Sequence, residues 1–171
     1  MTRKLLSVMV ITLALTAMAG NAQAIGVYAD VPLDYTFSEC TGTCDFDISG
    51  LKAGLILPSN IGLGIESYKV EGTGSNQGND VEFQFADVSY LLPIPAINIT
   101  GGAGFGNVTL TQGNTNHSDT ATQLWGSLGF TFAAIIDLHF AYHVVNASVD
   151  VASVNNNLDG KMISFGAMIL F

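Results

Sequence analysis

His139 and His143 stand four residues apart, the spacing that on a helix lets two imidazoles grip one zinc ion. On a strand the same spacing keeps both rings on one face but roughly 13 Å apart, at ~3.3 Å per residue. One metal cannot bridge that gap, so the pair reads as ordinary interior histidines, with no metal site and no cofactor implied. Asp30, Lys52, Glu66 and Asp87 fall on the polar faces of their own segments. With the two histidines they are expected to form an interior polar network. Buried charge must be paired, and Lys52 is the only cation available there. Such a row could serve as an ion or proton path; the plainer expectation is a structural plug. Cys40 and Cys44, in ECTGTCDFD, are expected to close a small loop disulfide in an oxidising compartment. Two lone thiols make a poor zinc site, since zinc takes four ligands.

The stretch Tyr142-His143-Val144-Val145-Asn146-Ala147 resembles the His-x-Ser-Asn segment of the outer-membrane lipid A deacylases, which are small barrels. That resemblance would imply hydrolysis at a lipid headgroup. Here the position of the nucleophilic serine is Val145, and Ser148 is near but not at the matching position. Without a nucleophile beside its base the chemistry has no start, and the chain is read as non-enzymatic.

These residues are carried by segments of period 2, the signature of half-buried strands. Eight can be read. Val27 to Phe37 has every odd position apolar or aromatic, with Asp30 and Asp34 in the even set. Around Gly50 to Leu57, Leu51, Ala53, Leu55 and Leu57 oppose Gly50, Lys52 and Gly54. From Ile61 to Val70, Ile61, Leu63 and Ile65 oppose Gly62, Gly64 and Glu66. From Val81 to Leu92, Phe83 and Phe85 share the Asp87 face, which suggests a bulge there or aromatics near a rim. The fifth segment sets Ile97, Ile99, Ala103 and Phe105 against Asn98, Thr100 and three glycines. The sixth sets Leu124, Leu128, Phe130 and Phe132 against Trp125, Ser127, Gly129 and Thr131. The seventh sets Leu138, Phe140, Tyr142 and Val144 against the histidines and continues weakly to Val151. The eighth sets Ile163, Phe165, Ala167, Ile169 and Phe171 against Ser164, Gly166, Met168 and Leu170. Four connectors read as long and polar (38–46, 72–80, 112–120 and 153–160), and three as short. That rhythm is the up-and-down membrane barrel pattern.

The first residues give the compartment. MTRK, the apolar run Leu5 to Ala19, and Ala22-Gln23-Ala24 form a secretory leader, with residues 1–24 expected to be cleaved and 25–171 to form one barrel domain. The run is shorter than the ~20 residues of a spanning helix. The expected mature chain keeps three lysines against fourteen acidic residues, a formal charge of −11, and has no arginine. Such a chain is a poor partner for nucleic acid, where Lys and Arg contacts to phosphate dominate affinity. No mature segment has the 18 or so apolar residues of a membrane helix. A closed barrel is the remaining way across a bilayer, because lipid tolerates no unpaired backbone. One face of the segments is almost continuously apolar, and the other mixes glycine with sparse charge. The apolar face therefore suits lipid, outside.

The leader, the eight segments, the loop rhythm and the terminal Ile163-x-Phe165-x-Ala167-x-Ile169-x-Phe171 together resemble the small OmpA/OmpX-type outer-membrane β-barrels, over the whole mature chain. The resemblance implies an all-β, eight-stranded antiparallel up-and-down transmembrane barrel in the bacterial outer membrane, reached through the periplasm. It also implies that Phe165, Ile169 and Phe171 form a C-terminal signal for the outer-membrane assembly machinery. The partners expected are outer-membrane lipid, lipopolysaccharide and that machinery, with the barrel itself monomeric. A barrel of this size is filled by its own side chains. The function expected is a structural or surface-interaction role. The alternatives are a narrow conduit for small hydrophobic molecules and, behind it, a lipid A-modifying enzyme. Glu39, Asp45, Asp80, Asp119 and Asp159 read as acidic, solvated loops, with divalent-cation binding as their functional alternative.

Overall fold

The computed structural model describes residues 26–39, 46–74, 78–94, 97–113, 115–132 and 135–171. The leader and the Cys40–Cys44 pair expected from the sequence lie outside these residues. Nine strands form: β1 (Gly26–Phe37), β2 (Phe46–Ile56), β3 (Ile61–Gly72), β4 (Asn79–Ile94), β5 (Ile97–Gln112), β6 (Thr115–Phe132), β7 (Ile136–Val151), β8 (Val154–Asn157) and β9 (Gly160–Leu170). Neighbours from β1 to β7 pair antiparallel, and β9 pairs with both β7 and β1. Gly26 opposes Leu170 and Phe37 opposes Gly160, so the last segment closes on the first and the sheet becomes a barrel. β8 is not a ninth stave. It pairs with Ser148 to Val151 and lengthens the hairpin that joins β7 to β9. Eight staves remain, all antiparallel.

Two of the connectors read as long loops are largely strand. Thr111 pairs with Asn116 and Thr109 with Ser118, so residues 112–120 form the tip of the β5–β6 hairpin rather than a loop. Half of 153–160 is β8, with Gly160 opening β9, whereas of 72–80 only Gly72, Asn79 and Asp80 belong to strands. The Thr, Ser and Asn of these stretches carry no apolar alternation, but a neighbouring strand supplies the backbone partners that make them strands. The bulge suggested near Phe83 is absent: β4 pairs with β3 and β5 without a register shift. It occurs in β1 instead, where Pro32 opposes Ser164 and Asp34 opposes Ile163, leaving Leu33 as the extra residue. The bulge changes the parity. Tyr35 turns inward and is buried, and Asp34 turns outward to solvent, against the expectation that Tyr35 continues the outer face and Asp34 the inner.

The long strands other than β1 change polarity partway along without changing phase. On β7 the outer face reads Ile136, Leu138, Phe140, Tyr142 and Val144, then Asn146, Ser148 and Asp150. Its inner face reads Asp137, His139, Ala141 and His143, then Val145, Ala147 and Val149. β3 and β4 do the same: Ile61, Leu63 and Ile65 give way outside to Ser67, Lys69 and Glu71, while Glu66 gives way inside to Tyr68 and Val70. The half nearer the short turns is therefore apolar outside and polar inside. The half nearer the longer hairpins is polar outside, with an inner core of Tyr35, Tyr68, Phe83, Phe85, Val108, Leu110, Val145 and Met162. Phe83 and Phe85 belong to that core, which is why they share a face with Asp87.

The barrel wall is unzipped between β1 and β2. β1 and β2 pair from Gly26–Ile56 up to Asp30–Lys52 and no further. Pro32, which has no N–H to offer a ladder, and the bulge at Leu33 stand where the pairing stops. Above the seam, Phe37 on β1 and Phe46 on β2 meet edge to face, their centroids 4.9 Å apart.

Candidate functional site: the lumen

Strand alternation turns Asp30 (β1), Lys52 (β2), Glu66 (β3), Asp87 (β4), His139 and His143 (both β7) into the polar half of the lumen, where all six are buried. They fall into two clusters. In the first, the Lys52 ammonium lies 3.3 Å from the centre of the Trp125 ring and 3.8 Å from one oxygen each of Glu66 and Asp87. The aromatic face supplies part of what a salt bridge at normal range would. The Gln123 amide donates to Glu66 Oε2 at 2.6 Å and to Asp87 Oδ1 at 2.9 Å, and Trp125 Nε1 donates to the same Asp87 oxygen at 3.2 Å. Two carboxylates are thus held by one amide, one indole and one ammonium.

Gln123 also fixes the tautomer of His143. With its NH₂ committed to carboxylates, its Oε1 can only accept, so the His143 Nδ1–H donates to it at 3.1 Å. His143 Nε2 is then the acceptor for the Ser164 hydroxyl at 3.2 Å. The chain of bonds runs one way, from Ser164 through His143 and Gln123 to Glu66 and Asp87. A serine beside a histidine has the elements of a nucleophile and base, but here the third member is an amide and all three are sealed in the lumen. Val145 also points into the lumen, whereas Asn146 on the same strand points out.

In the second cluster His139 lies between two carboxylates, with Nε2 2.8 Å from Asp30 Oδ1 and Nδ1 3.1 Å from Asp137 Oδ1. Asn98 donates to Asp137 Oδ2 at 2.8 Å and to the Thr131 hydroxyl at 2.9 Å. Asp137, Gln123, Asn98 and Ser164 do not stand out as lumen residues in the sequence. Asp137 reads there as part of a turn, yet it shares strand parity with His139. Gln123 shares parity with Trp125, and that parity was the available signal.

Glycines make the room. A Cβ at Gly54 or Gly64 would overlap the Tyr28 ring or hydroxyl, one at Gly102 the Trp125 indole, and one at Gly166 the Asp30–His139 pair. Among Tyr28, Asp30, Trp125, Asp137 and His139 a cavity of about 20 Å³ remains, room for about one water. Beyond the polar half, Tyr68 stacks on Phe83 with centroids 4.8 Å apart and Phe83 packs on Phe85 at 6.1 Å, closing the lumen with rings. Tyr35 anchors this plug by donating to the Leu158 carbonyl at 2.9 Å.

Phe165, Ile169 and Phe171 lie together on the outer side of the closing segment, and Phe171 is 77% exposed. Of the acidic residues assigned to loops, Asp80 lies on β4 beside Lys69 at 2.9 Å, and Asp159 accepts from the Ala147 backbone N–H at 2.8 Å. Asp119 lies on β6, paired across to Val108. Asp45 is outside the described residues. No group of three or more His, Cys, Asp or Glu among the described residues is placed to hold a metal ion.

Neither a family model nor a curated protein matches the sequence. Solved structures do match the fold. Neisserial surface protein A superposes with a TM-score of 0.66 at 12% identity, over 88% of this chain and 99% of that one. The N-terminal β-barrel domain of Pseudomonas aeruginosa OprF superposes with a TM-score of 0.51 at 12% identity, over 86% of this chain and 98% of that domain. The chain has the fold of the small, eight-stranded OmpA/OmpX-type outer-membrane β-barrels.

Proposed function

We propose that this chain is a non-enzymatic bacterial outer-membrane protein, exported behind the leader at residues 1–24 and anchored by a barrel plugged with its own side chains. The observation that carries the reading is the belt of exposed apolar residues. It includes Leu63, Val88, Leu92, Phe105, Leu124, Phe130, Phe140 and Ile163, all facing outward on a surface water would penalise. On β7 the belt runs from Ile136 to Val144. That is about 26 Å along the strand, or about 20 Å across a bilayer at the usual ~40° tilt, close to the ~25 Å apolar band of such barrels. The polar collar beyond it suits the lipopolysaccharide side, where the longer hairpins would be the contact surface. Phe165, Ile169 and Phe171 would be read by the assembly machinery, and the barrel would be monomeric.

The filled lumen weighs against a conduit for small hydrophobic molecules. The burial of His143, Ser164 and Val145 weighs against a lipid A-modifying enzyme. The test of the membrane reading is fractionation with gel mobility. The protein is expected in the outer-membrane fraction, running at a different apparent mass with and without boiling. Recovery as a freely soluble periplasmic protein would overturn the reading. Removing Phe171 is expected to lower the assembled, heat-modifiable fraction in cells while leaving spontaneous refolding into detergent nearly unchanged. Equal loss in both assays would make Phe171 merely structural.

A further inference from the structure

The seam between β1 and β2 lies at the upper margin of the apolar belt. Its outer lips are Val31 and Leu33 on one side and Leu51 on the other, each about half exposed. Continued past Asp30–Lys52, the register would pair Val31 with Leu51 and Leu33 with Ser49, but no ladder forms there. Among the described residues, the backbone N–H and C=O groups on these two strand edges therefore have no ladder partners where the surroundings turn apolar. That arrangement is costly unless something polar meets them. β1 remains paired to β9, and β2 to β3, on their other edges, so both staves are held in place with the seam between them.

A second, independent feature backs the seam from inside. Tyr68 opposes Gly50 across β2–β3, and its ring reaches behind β2 to within 6.0 Å of the Tyr35 ring on β1. Tyr68 is 2% exposed, and its hydroxyl has no hydrogen-bond partner among the described residues. Tyr35, its neighbour, has one. A buried, unused phenol O–H in an aromatic compartment is a donor waiting for an acceptor. The Phe37–Phe46 contact closes the seam toward the aqueous rim, so its remaining approach is sideways, from the belt.

We propose that the seam is a lateral binding site for a single-chain amphiphile with a carboxyl head, a long-chain fatty acid or its like. The head enters the seam and accepts hydrogen bonds from the free edge N–H groups and from Tyr68. The alkyl chain stays outside, along Val31, Leu33 and Leu51. Binding at this site does not require an open lumen. The inference rests on the membrane reading above.

The test uses stearic acid carrying a photoreactive diazirine, with the full-length protein refolded into phosphatidylcholine vesicles in a Cys40→Ser/Cys44→Ser background. Peptide mapping should place the adducts on the segments around Val31–Leu33 and Ser49–Leu51, severalfold above the equally apolar segment Leu124–Phe132. Tyr68→Phe should weaken labelling by roughly three- to tenfold, the worth of one hydrogen bond. Unlabelled stearic acid should compete. A Val31→Cys/Leu51→Cys disulfide, which draws the lips together, should abolish labelling until it is reduced. Even labelling around the barrel, or labelling indifferent to both Tyr68→Phe and the disulfide, would overturn the proposal. So would spontaneous disulfide dimers of the single Val31→Cys variant, which would assign the seam to a second copy of the chain. Failure of the membrane reading would show separately, as protein that neither floats with the vesicles nor shifts on boiling.

Discussion

At the residue scale the lumen is decided by how few donors must serve how many carboxylates. Asp30, Glu66, Asp87 and Asp137 are buried with one lysine, so each neutral donor counts. Replacing Lys52 by Met should destabilise the barrel by about 3–5 kcal/mol, because Glu66 and Asp87 lose their cation while remaining buried. The triple change Lys52→Met/Glu66→Gln/Asp87→Asn should recover most of that loss, since it removes the unpaired charge along with its partner. Urea unfolding in detergent micelles checks both. A triple variant no more stable than the single would show that the ion cluster is not the source of the penalty. Gln123→Leu should cost about 2–4 kcal/mol in the same assay, since it strips a donor from two carboxylates at once and an acceptor from His143. Six of these lumen residues were legible because charge is rare in this chain and strand parity sorts it. Gln123, Asn98 and Ser164 were not, because uncharged polar residues are common on both faces, and Asp137 was not, because it reads as part of a turn. Only the packing distinguishes the ones that bond inward.

At the element scale the staves other than β1 carry two opposite amphipathic patterns in one phase. The change falls between Val144 and Asn146 on β7 and between Ile65 and Ser67 on β3. A lysine at Phe140, in the middle of the β7 belt, should cost about 2–4 kcal/mol in vesicles, whereas one at Asn146 should cost about 0–1 kcal/mol. Equal costs would misplace the belt. The hairpin between β7 and β8 turns through Ala152 and Ser153, with φ of 49° and 68°. These are the left-handed conformations of a two-residue type I′ turn, which alanine and serine adopt poorly. Ala152→Asn with Ser153→Gly should therefore stabilise the fold by about 1 kcal/mol, read as a higher urea midpoint at unchanged slope. The bulge in β1 teaches a related lesson. An uninterrupted apolar alternation from Val27 to Phe37 suggests a single phase, yet Leu33 is squeezed out of register. Tyr35 can join the inner aromatic core only from the opposite parity.

At the scale of the whole molecule, the barrel is two differently solvated halves in one wall. The outward-apolar half suits lipid. The outward-polar half is built like a small soluble barrel, with Tyr35, Tyr68, Phe83 and Phe85 inside it. Because that aromatic core lies across the lumen, reconstituted protein should give no steady ionic current in a planar bilayer. Reproducible stepwise openings in the wild-type protein would refute the plug. The same division accounts for the hairpin tips. Residues 112–120 look like loop because they lack apolar periodicity, but at the hairpin tip, beyond the inner core, neither face of a strand needs it.

Composition and period alone determined the class of this protein: sparse charge, eight segments of period 2, and a terminal segment able to pair with the first. They sufficed because alternation is a local property, set by the pleat of each strand and written residue by residue. Only the tertiary structure decided which residues bond across the lumen, where the polarity turns over, how far the staves extend, and that the wall is unzipped beside Pro32. Those features depend on contacts between residues far apart in the chain, such as Asp30 with His139 and Gln123 with Glu66. Closing the barrel is what brings them within hydrogen-bond range.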